Sequence, residues 1–290
     1  MGYSGRYHAA SLAAVFVALA IGILVGIGLA DDVVSGASEE LEDSLRSDRD
    51  EARDEVESLT AELELERAFA DLAAPALVEG RLPRDGVGLF ALGELPGDET
   101  AEETEQALEA AGVPELASVS AIRLPPDIQA LAEAAGGPFA SGRDAASPER
   151  LGAAIGRQLI GGGPLIERIE GELFSSFSGD LSGVNRAVLV SQPPEVLLAD
   201  LDGDGRAFQS AMLAAIDEAA DGTVGVERST TDPTTLAVFS VAGIATVDDI
   251  DRASGQVSLV FALLGAEGDF GSKEAASSLL PDLVEPPISP

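Results

Sequence analysis

The longest apolar stretch runs from Ala9 to Ala30, AASLAAVFVALAIGILVGIGLA, 22 residues without a charge. As a helix rising about 1.5 Å per residue it reaches roughly 33 Å, enough to cross a hydrocarbon core of about 30 Å. Arg6 and the N-terminal amine precede it, and Asp31 and Asp32 follow. The positive-inside rule therefore places the short N-terminus in the cytoplasm and the rest of the chain outside. Tyr3 and Tyr7 suit the interface. The competing reading is a cleaved signal peptide, because Gly28-Leu29-Ala30 has a small-x-small form. A signal core of about 7–15 residues is shorter than this run, which favours an anchor. Within the span, Gly22 and Gly26 make a GxxxG step and are the candidates for helix pairing, since small residues four apart let two helices approach closely. Glycine is also simply frequent in membrane helices.

From Ser38 to Leu72 the pattern changes to dense mixed charge without Pro or Gly. Leu45, Ala52 and Leu59 share one heptad position, and Val56, Leu63 and Ala70 another, the a/d spacing of a coiled coil. Arg49 and Glu66 interrupt the seam, so it reads as a short, weak coil or as an amphipathic helix that packs elsewhere. Glu42 with Arg46 and Glu64 with Arg67 have the spacing of surface ion pairs. Ala74-Pro75 is expected to end this helix.

Beyond Pro83, short apolar runs alternate with helical periods. Val87–Leu92 (VGLFAL), Leu116–Leu124, Ala187–Ser191 (AVLVS) and Val224–Val226 read as extended, with a further apolar run at Leu236–Val241. Glu99–Ala111, the segment holding Ile128 and Leu131 behind a capping Asp127, the segment opened by Pro148, Leu165–Phe177 and Phe208–Ala219 read as helices. Val257–Leu264 (VSLVFALL) is too short to span a bilayer and reads as a buried core helix. This alternation, with crossovers of a dozen residues or more, predicts a doubly wound, mostly parallel α/β domain. The expected organisation is an anchor over 1–32, a coiled-coil helix over 38–73, an α/β domain over 84–285 and a proline-rich tail over 281–290.

Charge narrows the partners. The chain carries 17 Lys+Arg against 51 Asp+Glu, a net charge of −34. Nucleic acid is excluded as a partner, because its phosphates would repel such a chain. The acidity is equally a cation-attracting field or a solubility adaptation. With no Cys and a single histidine, His8, before the apolar span, the globular part lacks thiolate chemistry and a Ser-His-acid triad. No GxxxxGK[ST] loop or GxGxxG fingerprint supplies a phosphate cradle. No cofactor and no enzymatic activity are expected.

Asp200, Asp202 and Asp204, followed by Gly205, open like a calcium loop, but its twelfth position is Ala211 where a bidentate Glu is needed. An Asp-Gly turn capping the following helix is the simpler reading. Asp248, Asp249 and Asp251 invite a metal or acid/base reading, against which helix capping before Ser254 is the simpler alternative. Lys273, the sole lysine, reads as a surface cation.

Two segments carry a resemblance. The N-terminal Arg6-Tyr7-His8, Ser11, Val15-Phe16 and Gly22 to Gly26, together with Val247-Asp248-Asp249-Ile250-Asp251, Gly255-Gln256-Val257, Gly268-Asp269-Phe270-Gly271 and Leu279-Leu280-Pro281, resemble the mycobacterial copper transport protein B (MctB) family. The resemblance implies a single-pass envelope protein linked to copper resistance, with copper ions as a possible partner, and it supplies no residue roles. The residues themselves offer Cu(I) few soft donors, only Met1, Met212 and His8. Aromatics at 4% with no Trp do not make the girdles of a transmembrane barrel. Copper passage would then need an oligomer, formed through the coil, or a partner. The expected function is an anchored envelope protein acting in copper transport and homeostasis as an oligomer; the alternative is an anchored structural or interaction module.

Overall fold

The computed structural model describes residues 5–83, 85–95, 98–139, 147–191 and 202–282, and within these the side chains other than those of 5, 6, 28–42 and 98. The chain divides into two compact units, Met1–Glu66 and Arg67–Pro290. The described residues of the first unit are helical and belong to α1 (Gly5–Val78). Its segment Tyr7–Ile27 is long and apolar enough to cross a membrane and buries nothing within the chain. Beyond Gly22 and Gly26 there is open space where a Cβ would stand. The heptad side chains Leu45, Val56, Leu59 and Leu63 are exposed, an apolar stripe along a charged helix. Arg46 pairs with Asp43 at 2.9 Å, and Arg49 pairs with Asp50 at 2.6 Å. The Glu42 side chain lies outside the described set.

In the second unit α1 runs past Pro75 to Val78, so Ala74-Pro75 does not end it. The proline removes one N–H from the last turns, but burial of Ala74 and Val78 in the core outweighs that loss. Gly80, with φ +66°, makes the stop in the left-handed region that glycine tolerates best.

Among the described residues, seven strands form one sheet in the order β3-β2-β1-β4-β5-β6-β7. They are β1 (Val87–Leu92), β2 (Ser118–Ile122), β3 (Phe174–Gly179), β4 (Arg186–Ser191), β5 (Thr223–Val226), β6 (Ala245–Val247) and β7 (Asp269–Phe270). All pairings are parallel except that of β2 with β3. The helices are α2 (Asp98–Ala111), α3 (Ile128–Ala135), α4 (Pro148–Leu159), α5 (Pro164–Leu173), α6 (Gly203–Ala219), α7 (Ala237–Val241) and α8 (Ala253–Leu263). The doubly wound reading is the fold observed.

Alternation along the strands sorts the core into two layers. Val87, Leu89, Ala91, Val188 and Val190 face the end of α1, α2 and α8, while Phe90, Leu92, Ala187 and Leu189 face α3 to α7. β1 is buried at every position, which is why it reads as a continuous apolar run. Each such fully buried large side chain contributes about 1.5–3 kcal/mol. α8 is buried nearly all round, as its uniform apolarity requires. α4 and α6 meet backbone to backbone, because Gly152 and Gly156 leave room for the carbonyls of Phe208 and Met212.

One expectation fails here, and three further elements were not assigned from the sequence. Leu165–Phe177 is not one helix. It breaks after Leu173, and Phe174 to Gly179 pairs antiparallel with β2 as the sheet edge, with Phe174 and Phe177 stacked at 5.1 Å. β6 and β7, with three and two residues, were too short to announce themselves by pattern. The apolar run from Leu236 is a turn of helix, α7, carrying Phe239 into the core. Residues 283–290 of the proline-rich tail lie outside the described residues.

Candidate functional site

In a doubly wound sheet the crevice forms at the carboxyl ends of the strands, where the winding changes direction. Here that point lies between β1 and β4. A crevice of about 260 Å³ opens there, lined among others by Glu94 and Leu95 after β1, Ser191 at the end of β4, and Glu227 and Arg228 after β5. The backbone of Glu227 is pinned by its N–H donating to the Val247 carbonyl at 2.9 Å and its carbonyl accepting from Ile250 N at 3.1 Å.

Although its side chain is 3% exposed, Glu227 is fully provided with donors. It accepts from Thr234 Oγ1 at 2.8 Å, Thr235 N at 2.6 Å, Thr235 Oγ1 at 2.8 Å and Lys273 Nζ at 2.6 Å. Lys273 also donates to the carbonyls of Arg228 at 3.1 Å and Thr231 at 2.7 Å, so its three protons are all used. Lys273 is therefore not a surface cation: it ties the segment after β7 to the end of β5. A sole lysine in a chain of 51 acids was the available signal, but its acidic partner is 46 residues away in sequence.

Arg228 points to α2, pairing with Glu99 and, at 3.0 Å, with Glu103. Burial pushes the Glu103 carboxyl up, and the Arg228 charge only partly offsets it. Glu103 Oε2 and Arg228 Nε remain buried without a partner.

The Asp248, Asp249 and Asp251 carboxylates do not converge. Asp248 accepts from the backbone N–H groups of Ser272 at 2.8 Å and Lys273 at 3.0 Å. Asp251 accepts from Ser229 N at 2.6 Å and Ser229 Oγ at 2.7 Å; burial works to raise its pKa, but these bonds win and the net shift is downward. Asp249 is fully buried, accepts from Ser254 Oγ at 2.7 Å, and is pushed up by burial. Nor do these acids cap the helix, since Arg252 stands at the α8 N-cap without a side-chain bond.

Of the calcium-like candidates, Asp200 lies outside the described residues. Asp202 is the α6 N-cap, accepting from Gly205 N at 2.7 Å, and Asp204 is exposed in the first turn. Ala211, at the twelfth loop position, sits inside α6, so the segment forms the capping turn rather than a closed loop. Among the described residues no group of three or more His, Cys, Asp or Glu is placed to hold a metal ion.

A family model described as copper transport outer membrane protein, MctB, matches residues 3–281. The chain belongs to the MctB family. Comparison with individually characterised proteins gives no match. The MctB match runs from the apolar N-terminal helix through the last described strand, so it takes in the crevice, Glu227 and Lys273. Copper transport by an MctB-family chain has to be reconciled with that crevice. Glu227, its buried acid, is a hard oxygen donor already committed to threonine and lysine partners. Met212, the sole soft donor beyond the apolar N-terminal span, is fully buried in the core.

Proposed function

We propose that this MctB-family chain is a membrane-anchored envelope protein that acts in copper homeostasis through assembly, without an enzymatic site of its own. The observation that carries the reading is the family match over residues 3–281, which joins the anchor and the α/β domain in one unit of descent. Copper is the cargo, and the path for it is formed between copies of the chain or with a partner. Two features support assembly. The stripe Leu45, Val56, Leu59 and Leu63 is exposed in the single chain, and apolar a/d positions on a charged helix are stabilised by a second helix. The Gly22 and Gly26 surfaces are open to close approach by a neighbour in the bilayer. The N-terminus is cytoplasmic and the α/β domain extracytoplasmic, as the charges flanking the span favour.

A second reading, an anchored interaction module without a transport role, is favoured by the donor set. Glu227, the buried acid of the crevice, is internally matched, and Cu(I) prefers thiolate, thioether or imidazole ligands. Copper tolerance of a strain lacking the gene separates the two. The transport reading expects a sensitive deletion strain that the full chain restores and a chain starting after Ala30 does not. Unchanged tolerance on deletion overturns it in favour of the interaction module.

A further inference from the structure

A second cavity, of about 400 Å³, lies between α6 and α7, away from the sheet crevice except that Thr235 borders both. Its walls are largely aliphatic, with Leu213 and Ala214 from α6, Val238 from α7 and Ala242 just after it. Arg206, Gln209, Ser210 and Thr235 are the polar residues of this lining. Gln209 is 5% exposed, lines the cavity, and its Nε2 is buried with no hydrogen-bond partner.

An amide donor left unmade in an apolar wall is destabilising. Such a group is neither packing nor solubility, and it has a use when a ligand brings an acceptor to it. The volume falls in the range of small-molecule sites, about 300–1,000 Å³, and the arrangement of an apolar body with one placed polar group is the usual one for such sites. Arg206, also on the wall, is engaged in an interaction of its own, and Thr235 donates its hydroxyl to the Glu227 carboxylate. Ser210 is exposed, so the buried donor left over is a neutral amide, beside a wall whose far side holds a carboxylate. An uncharged acceptor on an apolar chain matches this better than an anion.

We propose that the α6–α7 cavity is a binding site for an acyl ester or amide, its alkyl chain against Leu213, Ala214, Val238 and Ala242 and its carbonyl oxygen accepting from Gln209 Nε2. The site is distinct from the sheet crevice, with which it shares Thr235.

The test is a ligand-observed 19F NMR titration of the full chain in nanodiscs, with empty nanodiscs giving the partition baseline. The probes are methyl 8,8,8-trifluorooctanoate, a trifluoroalkane of the same length without the carbonyl, and the trifluorooctanoate anion. The expected order is ester first, with alkane and anion weaker. Gln209→Leu should weaken the ester about tenfold, the equivalent of one lost hydrogen bond of about 1.4 kcal/mol, and leave the alkane unchanged. Ala242→Phe should fill the cavity and remove binding of both. Calorimetry on each variant checks that it is folded, and the probe order on the unaltered chain stands even if Gln209→Leu is not. No binding above empty nanodiscs, an alkane equal to the ester, an anion tighter than the ester, or a Gln209→Leu chain that binds the ester as before would each overturn the assignment.

Discussion

Lys273→Met removes the ammonium and keeps most of the aliphatic stem. Three donated bonds disappear, to Glu227 Oε1, the Arg228 carbonyl and the Thr231 carbonyl. Glu227 keeps its threonine donors but is left 3% exposed without its counter-charge. Breaking a fully buried pair by removing one partner costs about 3–5 kcal/mol. The Lys273 side chain is 21% exposed, so water can reach its place and the expected loss is about 2–4 kcal/mol. For a domain of this size each kcal/mol moves Tm by about 2–4 °C, so the transition should fall by roughly 5–15 °C. Differential scanning calorimetry of the full chain in nanodiscs reads it. In the double variant Glu227→Gln with Lys273→Met the buried charge is gone, and the loss should be smaller than the sum of the single losses by about 0.5–3 kcal/mol. A single-variant loss below about 1 kcal/mol, or strict additivity in the cycle, would refute the buried-interlock reasoning.

Other expectations follow from particular contacts. Gly156→Ala drives a methyl into the Met212 carbonyl where α4 meets α6, so it should destabilise by about 1–3 kcal/mol, read as a lower Tm; an unchanged Tm would mean the helices are not that close. Asp249, raised by burial, ionises later in the folded chain than in the unfolded one, so its contribution is fully present below about pH 3.9 and is lost as pH rises through the folded value. Asp249→Asn should accordingly gain stability relative to the unaltered chain from pH 3 to pH 7, and urea titrations showing a pH-independent difference would contradict this. Under the proposed assembly the full chain should be an oligomer in light scattering and Leu59→Asp with Leu63→Asp a monomer, while an unaltered mass would put assembly elsewhere.

Legibility tracked how local each determinant is. VGLFAL and AVLVS were readable because strands buried on both faces are apolar at every position. Asp127 and Asp202 were readable as caps because a cap acts within three residues, accepting from Ala130 N and Gly205 N. Pro75 misled because the force that carries the helix past it is packing of Ala74 and Val78 against distant side chains. Phe174 to Gly179 misled because an edge strand is defined by its partner, β2, more than by its own pattern. The crevice was the least legible part. Lys273 and Glu227 meet only after α7, β6, α8 and β7 have been laid down between them, and nothing in either neighbourhood marks the other. The Gly152 and Gly156 contact is a close helix approach with the same spacing as Gly22 and Gly26, hidden in an otherwise ordinary amphipathic segment.

Cell-associated copper, measured by mass spectrometry in a strain lacking the gene, tests the central claim most directly. The strain is complemented in parallel with the full chain and with the Leu59→Asp, Leu63→Asp chain. The account expects copper to rise on deletion, to return to the parental level with the full chain, and to stay high with the chain whose stripe is broken. Copper that does not change on deletion, or that the stripe-broken chain restores fully, would contradict an MctB-family protein acting on copper through assembly.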